Sequence, residues 1–460
     1  MSLHIFLLEI RMMARERAAW LLVALFAGAL GYGLWNGSQL AKRNSEATTA
    51  AEENSEKFLL QVRQHLSRPG QALPVRNIAG YGSLALLPPA PLPGLATGQS
   101  DLVPGHENVV LWKLTAPADT RSELENPSHL LAGRFDLAFV LIWLYPLFLL
   151  AFLYDLMAGD RESGTLRLAL SQGISPAGWL CRRALARALP VLGLALGGTL
   201  LAGSTGYELR LAVALGVVLV YGLFWVTLAV AINAVSSSAA GAASTLGAAW
   251  VALVLVAPTL INLAAESLYP TPSRPELVAV GRQASGEAEK RGNELIDTFY
   301  RDHPELAPPG RRADFMAKRL TVQEEVADAV APVLEKFDTQ LALQQQTVGR
   351  WRFVSPAIAA HEALTDLAGT GYWRHRAFRS QVTEFKQAIS DFYTPKVHRR
   401  QPLVLQDIDR MPTFTFVEEH DLEWLSRVGK GLAGILAFSA VIGASALLSL
   451  RPGRLGLVTG

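Results

Sequence analysis

Residues 211–235 read LAVALGVVLVYGLFWVTLAVAINAV, a run that contains no charged side chain. About 20 mostly apolar residues are enough for a helix to cross the roughly 30 Å hydrocarbon core of a bilayer. The run lacks the alternation of apolar and polar positions that marks a half-buried strand, and it is too long for an ordinary buried helix of a soluble protein. It therefore predicts a transmembrane helix.

Five more segments share this character, and the chain is predicted to be an α-helical polytopic membrane protein with six transmembrane helices. The predicted spans are approximately Ala18–Trp35, Leu137–Met157, Ala184–Ser204, Leu211–Val235, Ala239–Ala264 and Gly431–Leu450. Only 18% of the residues are charged, whereas soluble proteins carry about a quarter. The net charge of +2 gives no support to a nucleic-acid-binding function, which usually needs a basic domain or stripe.

Arginine residues near the span ends predict the orientation. Before span 1 they are Arg11, Arg15 and Arg17. Between spans 2 and 3 they are Arg161, Arg167, Arg182, Arg183 and Arg187, and after span 6 they are Arg451 and Arg454. In a six-span chain all three regions fall on one side, which the positive-inside rule makes cytoplasmic. Both termini, the tail 451–460 and the turn 236–238 are then inside, and the turn 205–210 is outside.

The segment 1–17 mixes apolar residues with charges and predicts an amphipathic helix in the inner membrane interface. Its charged residues nearest span 1 are Arg11, Arg15, Glu16 and Arg17. The apolar core of span 1 is long for a signal peptide, and no clear cleavage site follows it. We therefore expect span 1 to remain as an anchor.

Two long segments, 37–136 and 265–430, are predicted to be extracytoplasmic inserts, the second mainly helical. In the first, a helix over Ser45–Leu66 precedes a proline-rich loop. In the second, the patterns predict four helices: Ala284–Arg301, Arg311–Val348, His361–Leu367 and Trp373–Tyr393. The second of these is expected to break at Pro332, and short strands are expected at 402–408 and 414–417. Its length suits a separate core, and the stripe Phe378, Val382, Phe385 and Ile389 is expected to belong to that core, with a docking face as the alternative.

The loop 158–183 between spans 2 and 3 carries a short charged string: Asp160, Arg161, Glu162, Ser163, Gly164, Thr165, Leu166 and Arg167. Gly164 permits a turn, and a short helix over Thr165–Leu170 is expected to end at Gly173. Ser175 followed by Pro176 predicts the start of the next helix. The loop is therefore predicted to be a compact helical hairpin with a charged tip that another protein could push. An ordinary loop held by positive-inside charge is the alternative.

The string Arg161-Glu162-Ser163-Gly164-Thr165-Leu166 resembles the coupling-helix signature of ABC-2 type ABC transporter permeases, and segment 1–17 resembles that family's elbow helix. Outside the membrane, the sequence is similar to a bacterial subgroup with large external inserts at Ser355-Pro356, Leu364, Leu367-Ala368-Gly369-Thr370, Arg376, Phe378 and Gln381. The resemblance implies a multi-pass protein of the bacterial inner membrane. It also implies that Arg161 and Glu162 dock on a cytoplasmic ABC ATPase dimer, and that the chain pairs with a second copy or a sister permease.

Other functions find little support in the sequence. No P-loop motif is present, so ATP and Mg are expected on the partner ATPase and no cofactor or metal in this chain. His361 and His375 lack a third ligand. The spans carry almost no ionisable residues in their middles, which disfavours coupling to an ion gradient. Pro146 and Pro258 predict helix kinks, either mobile or static.

Three functions remain open. The leading one is a permease subunit that moves a substrate, with export as the expected direction. The first alternative is mechanotransmission, in which ATPase-driven motion reaches the external inserts without solute transport. The second alternative is a membrane-anchored sensor or scaffold. Apart from these functions, a periplasmic protein is a further expected partner of the inserts.

Overall fold

The computed structural model describes residues 2–101, 103–113, 134–164, 166, 175–307 and 315–450. It is 80% helical. Within the described residues, six helices are long and apolar enough to cross a membrane, and we call them spans 1 to 6. Their bounds are Arg17–Leu66, Leu137–Glu162, Pro176–Leu201, Glu208–Val235, Ala239–Leu268 and Asp421–Ser449. The chain is thus a helical membrane protein, as the apolar runs predict.

Spans 2 and 5 are not uniform α-helices. Span 2 contains Leu137–Phe139, a π-helical turn at Val140–Leu144, then Tyr145–Leu153 and Ala158–Glu162. Span 5 contains Ala239–Trp250, a π-helical turn at Val251–Val256, and Ala257–Leu268. Pro146 and Pro258 each stand second in the α-helical segment that follows the π turn. Regular α-helical hydrogen bonding is therefore interrupted at both positions where we expected kinks.

The other described elements are shorter helices, turns and one pair of strands. The helices are Ser2–Arg15, Val75–Ala79, Arg274–Lys290, Gly292–Asp302, Phe315–Trp351, Pro356–Ala368, Tyr372–His398 and Leu405–Arg410. Single 3₁₀ turns occupy Gly98–Asp101, Leu111–Lys113, Pro304–Leu306 and Arg352–Val354. Two antiparallel strands, Ser83–Leu86 and His106–Val109, pair in the register Ser83 to Val109.

Several predicted elements were wrong in detail. The helix expected at Ser45–Leu66 is the outer part of span 1, a single helix of 50 residues. The expected helix Ala284–Arg301 is two helices, which meet at Arg291. Phe315–Trp351 runs through Pro332 without a break. The proline ring lies on the exposed side of the helix, so the opposite side can still pack while one backbone bond is lost.

The expected strands at 402–408 and 414–417 are absent from the described chain. Residues Leu405–Arg410 form a helix, and Leu403 makes only an isolated bridge to Leu73. The strands lie instead in the first insert, which the sequence had predicted to be loop-like beyond its first helix. Alternating apolar residues over such short stretches do not distinguish strands from other packed segments.

The two inserts share one apolar core, which we call the outer core. The predicted stripe is buried: Phe378, Val382, Phe385 and Ile389 are 1–7% exposed. The first insert contributes a comparable set to the same cluster, Val62, Leu66, Val75, Ile78, Ala79, Ala85, Leu87, Val109 and Leu111. The stripe is therefore core, as expected, but the expectation that the second insert has a separate core was wrong.

The helix Pro356–Ala368 belongs to the second insert in sequence, but it packs into the bundle and not into the outer core. It contacts spans 2, 4, 5 and 6, and Leu364 and Leu367 belong to the bundle core. Ser355 caps its first turn and donates through Oγ to the carbonyl of Leu253 in the π turn of span 5, at 2.6 Å. Alanine at five of its positions keeps the helix narrow enough for this close packing.

Candidate functional site

A cluster of ion pairs lies at the end of the bundle opposite the outer core, and we call it the charged cluster. Glu9 of the N-terminal helix is only 4% exposed. Its Oε1 lies 2.8 Å from Arg183 Nε, and its Oε2 accepts from Arg187 Nε at 2.9 Å. Arg183 also pairs with Asp160. Because buried charges need partners, these contacts fasten the N-terminal helix to span 3, and span 3 to the last turn of span 2.

Span 2 is broken beside this cluster, between Leu153 and Ala158. Asn233 of span 4 is fully buried and holds the break. Its Oδ1 accepts from the backbone N–H groups of Leu156 and Met157 at 3.0 and 3.4 Å. Its Nδ2 donates to the carbonyl of Leu153 at 2.9 Å. One amide side chain thus replaces hydrogen bonds that the interrupted helix cannot make.

Span 3 supplies the donors for the carbonyls of the same break. Arg187 donates to the carbonyl of Asp155 at 2.9 Å, and Arg183 donates to that of Leu156 at 2.8 Å. Irregular backbone at membrane depth is tolerated only where the protein satisfies its polar groups. The break is therefore held by side chains of spans 3 and 4 together.

We expect Asn233→Ala to lower the apparent melting temperature of the full-length protein and to speed amide exchange at residues 154–157. Each buried donor left without an acceptor costs about 1–3 kcal/mol. Thr227→Ala is the matched control on the same span, since the Thr227 hydroxyl, among the residues that the structure describes, bonds to the carbonyl of Leu223 one turn back and to no other group. Equal melting and exchange in the two variants would show that Asn233 does not hold the break.

The residues after the break are bound to the turn between spans 4 and 5. Arg161 donates to the carbonyls of Ala234, at 3.0 Å, and Ser236. Glu162 accepts from the backbone N–H of Ala239 at 3.4 Å. A cation at the C-terminus of span 4 and an anion at the N-terminus of span 5 both suit the helix dipoles. Arg161, which we expected to bond to a partner, bonds instead within the chain.

The charged string therefore divides into inward and outward residues. Asp160 is half-buried in the charged cluster and Leu166 is buried in the bundle core. The exposed tip is Glu162, Ser163 and Gly164. Gly164 has a φ of +75°, which confirms the predicted turn. Thr165, Arg167 and the expected helix over Thr165–Leu170 lie outside the described residues, apart from Leu166.

The charged residues selected for the interfacial helix are all exposed: Arg11, Arg15, Glu16 and Arg17. The helix itself spans Ser2–Arg15. The sequence showed Glu9 as one of the charges of this helix but did not indicate that it fixes the helix to the bundle, and it did not indicate a role for Asn233. Glu9 could have been noticed as an acid in an apolar stretch, with three arginines near the start of span 3 as candidate partners. Asn233 could have been noticed as the only amide in the run 211–235.

A second set of ion pairs joins the second insert to the spans at the other end. Arg427 of span 6 donates to Asp366 Oδ2 at 2.8 Å and to Glu419 Oε2 at 2.6 Å. Arg210 of span 4 donates to the carbonyl of Asp366 at 3.2 Å. Burial alone would raise the pKa of Glu419, but the hydrogen bonds from Arg427 hold that pKa below its usual value. Motion of spans 4 and 6 would therefore pass directly to the insert.

The buried histidines have structural surroundings. Burial lowers the pKa of His375 to about 4, and its Nδ1 lies 3.1 Å from the carbonyl oxygen of Gly371. Burial likewise lowers the pKa of His398 to about 4. The His398 ring stacks on the ring of Phe299, and the two ring centroids are 4.3 Å apart. The described residues contain no group of three or more side chains that could hold a metal ion.

Comparisons with known proteins cover only parts of the chain. A family described as a domain of unknown function, DUF3526, matches residues 274–417, which lie within the second insert. A D-alanyl-D-alanine dipeptidase of Enterococcus faecium is 44% identical over 59 residues, 13% of this chain and 29% of that protein. The chain thus matches less than a third of that relative's length. No solved structure matches.

Proposed function

We propose that this chain is the membrane-spanning permease subunit of an ABC transporter of the ABC-2 type. A separate cytoplasmic ATPase dimer binds ATP and Mg and pushes on the tip formed by Glu162, Ser163 and Gly164. The chain exports its substrate across the bacterial inner membrane and pairs with a second copy or a sister permease. Both termini are cytoplasmic, and the inserts are extracytoplasmic.

The observation that carries the proposal is how the tip is attached. The tip lies at the end of a short helix, Ala158–Glu162, which a break separates from the rest of span 2, so it is not a rigid extension of that span. The residues before the tip are bound to spans 3 and 4 through Arg183, Asn233 and Arg161, and Glu162 of the tip binds the start of span 5. Arg183 also pairs with Glu9 of the N-terminal helix. A force on the tip would thus reach several spans at once, which is what a coupling element requires.

Mechanotransmission is the second candidate, and the length of span 1 favours it. Its 50 residues form one helix, about 75 Å long at 1.5 Å per residue, of which the bilayer core needs less than half. The outer end of this helix, at Val62 and Leu66, belongs to the outer core. A tilt of span 1 would move the external inserts even if no solute crossed the membrane.

Gly164→Pro is expected to abolish most of the stimulation that the full-length chain gives to its ATPase. Proline fixes φ near −65° and cannot adopt the +75° of Gly164. The exposed position has open space around it, so the bundle should stay folded. Gly206→Pro is the matched control, because Gly206 also has positive φ and open surroundings but lies at the opposite end of the bundle. The readout is ATP hydrolysis by the ATPase that copurifies with the chain.

Full stimulation by Gly164→Pro, or equal loss with Gly206→Pro, would contradict the coupling role. Vesicles that hold the purified complex separate the two candidate functions. Solute flux that depends on ATP supports the permease. ATP hydrolysis that changes distances between the outer core and the spans, without flux of any tested solute, supports mechanotransmission.

A further inference from the structure

An apolar groove of about 270 Å³ opens between spans 3, 4 and 6 near the charged cluster. All of its walls lie toward the same end of the bundle: the start of span 3 and the ends of spans 4 and 6. Its lining includes Cys181, Leu185, Val226, Val230, Leu447 and Leu450. Leu185 and Leu447 remain 46% and 55% exposed. The chain thus leaves the groove uncovered within the depth of the membrane.

Arg182 is exposed and directly follows Cys181, which lines the groove at the start of span 3. Its two neighbours on span 3, Arg183 and Arg187, are bound by Glu9. In the part of the chain that the structure describes, Arg182 makes no ion pair or hydrogen bond. The start of span 3 therefore presents one unneutralised guanidinium beside an apolar groove.

We propose that the groove and Arg182 together bind one anionic phospholipid, with an acyl chain in the groove and the phosphate on the guanidinium. A helix with its side chains is about 10–12 Å across, so the volume of the groove would hold only about 3 Å of its length. The groove is therefore too small for a helix of another protein. An acyl chain is narrow and flexible enough to fill the groove. The free cation at its membrane-surface end complements a phosphate, which arginine binds through paired hydrogen bonds. The site is independent of any partner ATPase.

Native mass spectrometry of the full-length protein with equimolar phosphatidylglycerol and phosphatidylcholine tests the site. We expect one phosphatidylglycerol to be retained in preference. Arg182→Gln should weaken its retention about tenfold, which corresponds to about 1.4 kcal/mol. Arg11→Gln is the matched control, because Arg11 is also an exposed arginine at this end of the bundle but lies on the N-terminal helix. This variant should retain the lipid.

The chain's single cysteine gives an independent check, since Cys181 lines the groove. Alkylation of Cys181 with a bulky maleimide should displace the retained phosphatidylglycerol, and Cys181→Ser treated in the same way should keep it. Equal retention of the two lipids would overturn the proposal. So would retention that survives both Arg182→Gln and alkylation, or a loss in Arg11→Gln as large as that in Arg182→Gln.

Discussion

Glu9→Ala is expected to lower the apparent melting temperature of the full-length protein more than any other single change in the charged cluster. Removal of the carboxylate leaves Arg183 and Arg187, whose side chains are only 12% and 19% exposed, without their shared partner. Breaking a buried ion pair by deleting one member costs about 3–5 kcal/mol, because the remaining charge stays desolvated. The N-terminal helix should also detach, which amide exchange over residues 2–15 would detect.

Glu16→Ala provides the control for this prediction. Glu16 is an exposed glutamate seven positions along the chain and makes no side-chain cap at the start of span 1. Exposed substitutions of this kind usually change stability by less than about 0.5 kcal/mol. If Glu9→Ala and Glu16→Ala melt alike, the ion pairs of Glu9 contribute nothing, and the N-terminal helix is held by its apolar contacts alone.

The charged cluster also explains why the residues near the tip differ in their expected roles. Arg161 and Asp160 bond within the bundle, whereas Glu162, Ser163 and Gly164 are exposed and form the proposed contact with the ATPase. A substitution of Arg161 should therefore damage the membrane protein itself, since its guanidinium binds the end of span 4. A substitution at Gly164, which has open space around it, should instead act on the proposed partner. Stability and ATPase stimulation, measured side by side, separate these two effects.

The spans could be predicted from the sequence because the bilayer sets their length and excludes charge. The start of span 3 was predictable for a local reason: the Ser175 side chain accepts from the backbone N–H of Gly178. Gly164 was predictable because a turn with positive φ favours glycine. Each of these features depends on residues close together in the chain, or on a solvent that acts on every residue alike.

The sequence did not predict the contacts between distant segments. Glu9 meets Arg187 across 178 positions, and Asn233 meets Leu156 across 77. Neither contact produces a periodic pattern in the sequence from which it could be predicted. The helix expected at His361–Leu367 was assigned to an extracytoplasmic insert with its own core, yet the observed helix Pro356–Ala368 packs its alanines among the spans. Apolar composition marks a helix as buried without saying which core buries it.

The shared outer core leads to the second large effect. Phe385→Ala in the second insert and Ile78→Ala in the first are each expected to destabilise the same folded unit. Phe385 is 7% exposed, with its ring centroid 5.5 Å from that of Phe414, and Ile78 is 2% exposed. Truncation of buried side chains of this size costs about 2–5 kcal/mol. Leu60→Ala, at a 57% exposed position on span 1, is the control and should melt like the unaltered protein.

A fragment of residues 270–425 alone is expected not to unfold cooperatively, because half of the apolar partners of the stripe lie in the first insert. Without Val62, Ile78 and Leu111, the side chains of Phe378, Phe385 and Ile389 would lose part of their burial, and full exposure of one such side chain costs roughly 1.5–3 kcal/mol. Addition of a second fragment, residues 37–113, should restore a cooperative transition. A sharp melt of 270–425 alone would show that the second insert folds by itself. The first insert would then only pack on the surface of the second. Span 1 could then move relative to the second insert without unfolding it or moving it.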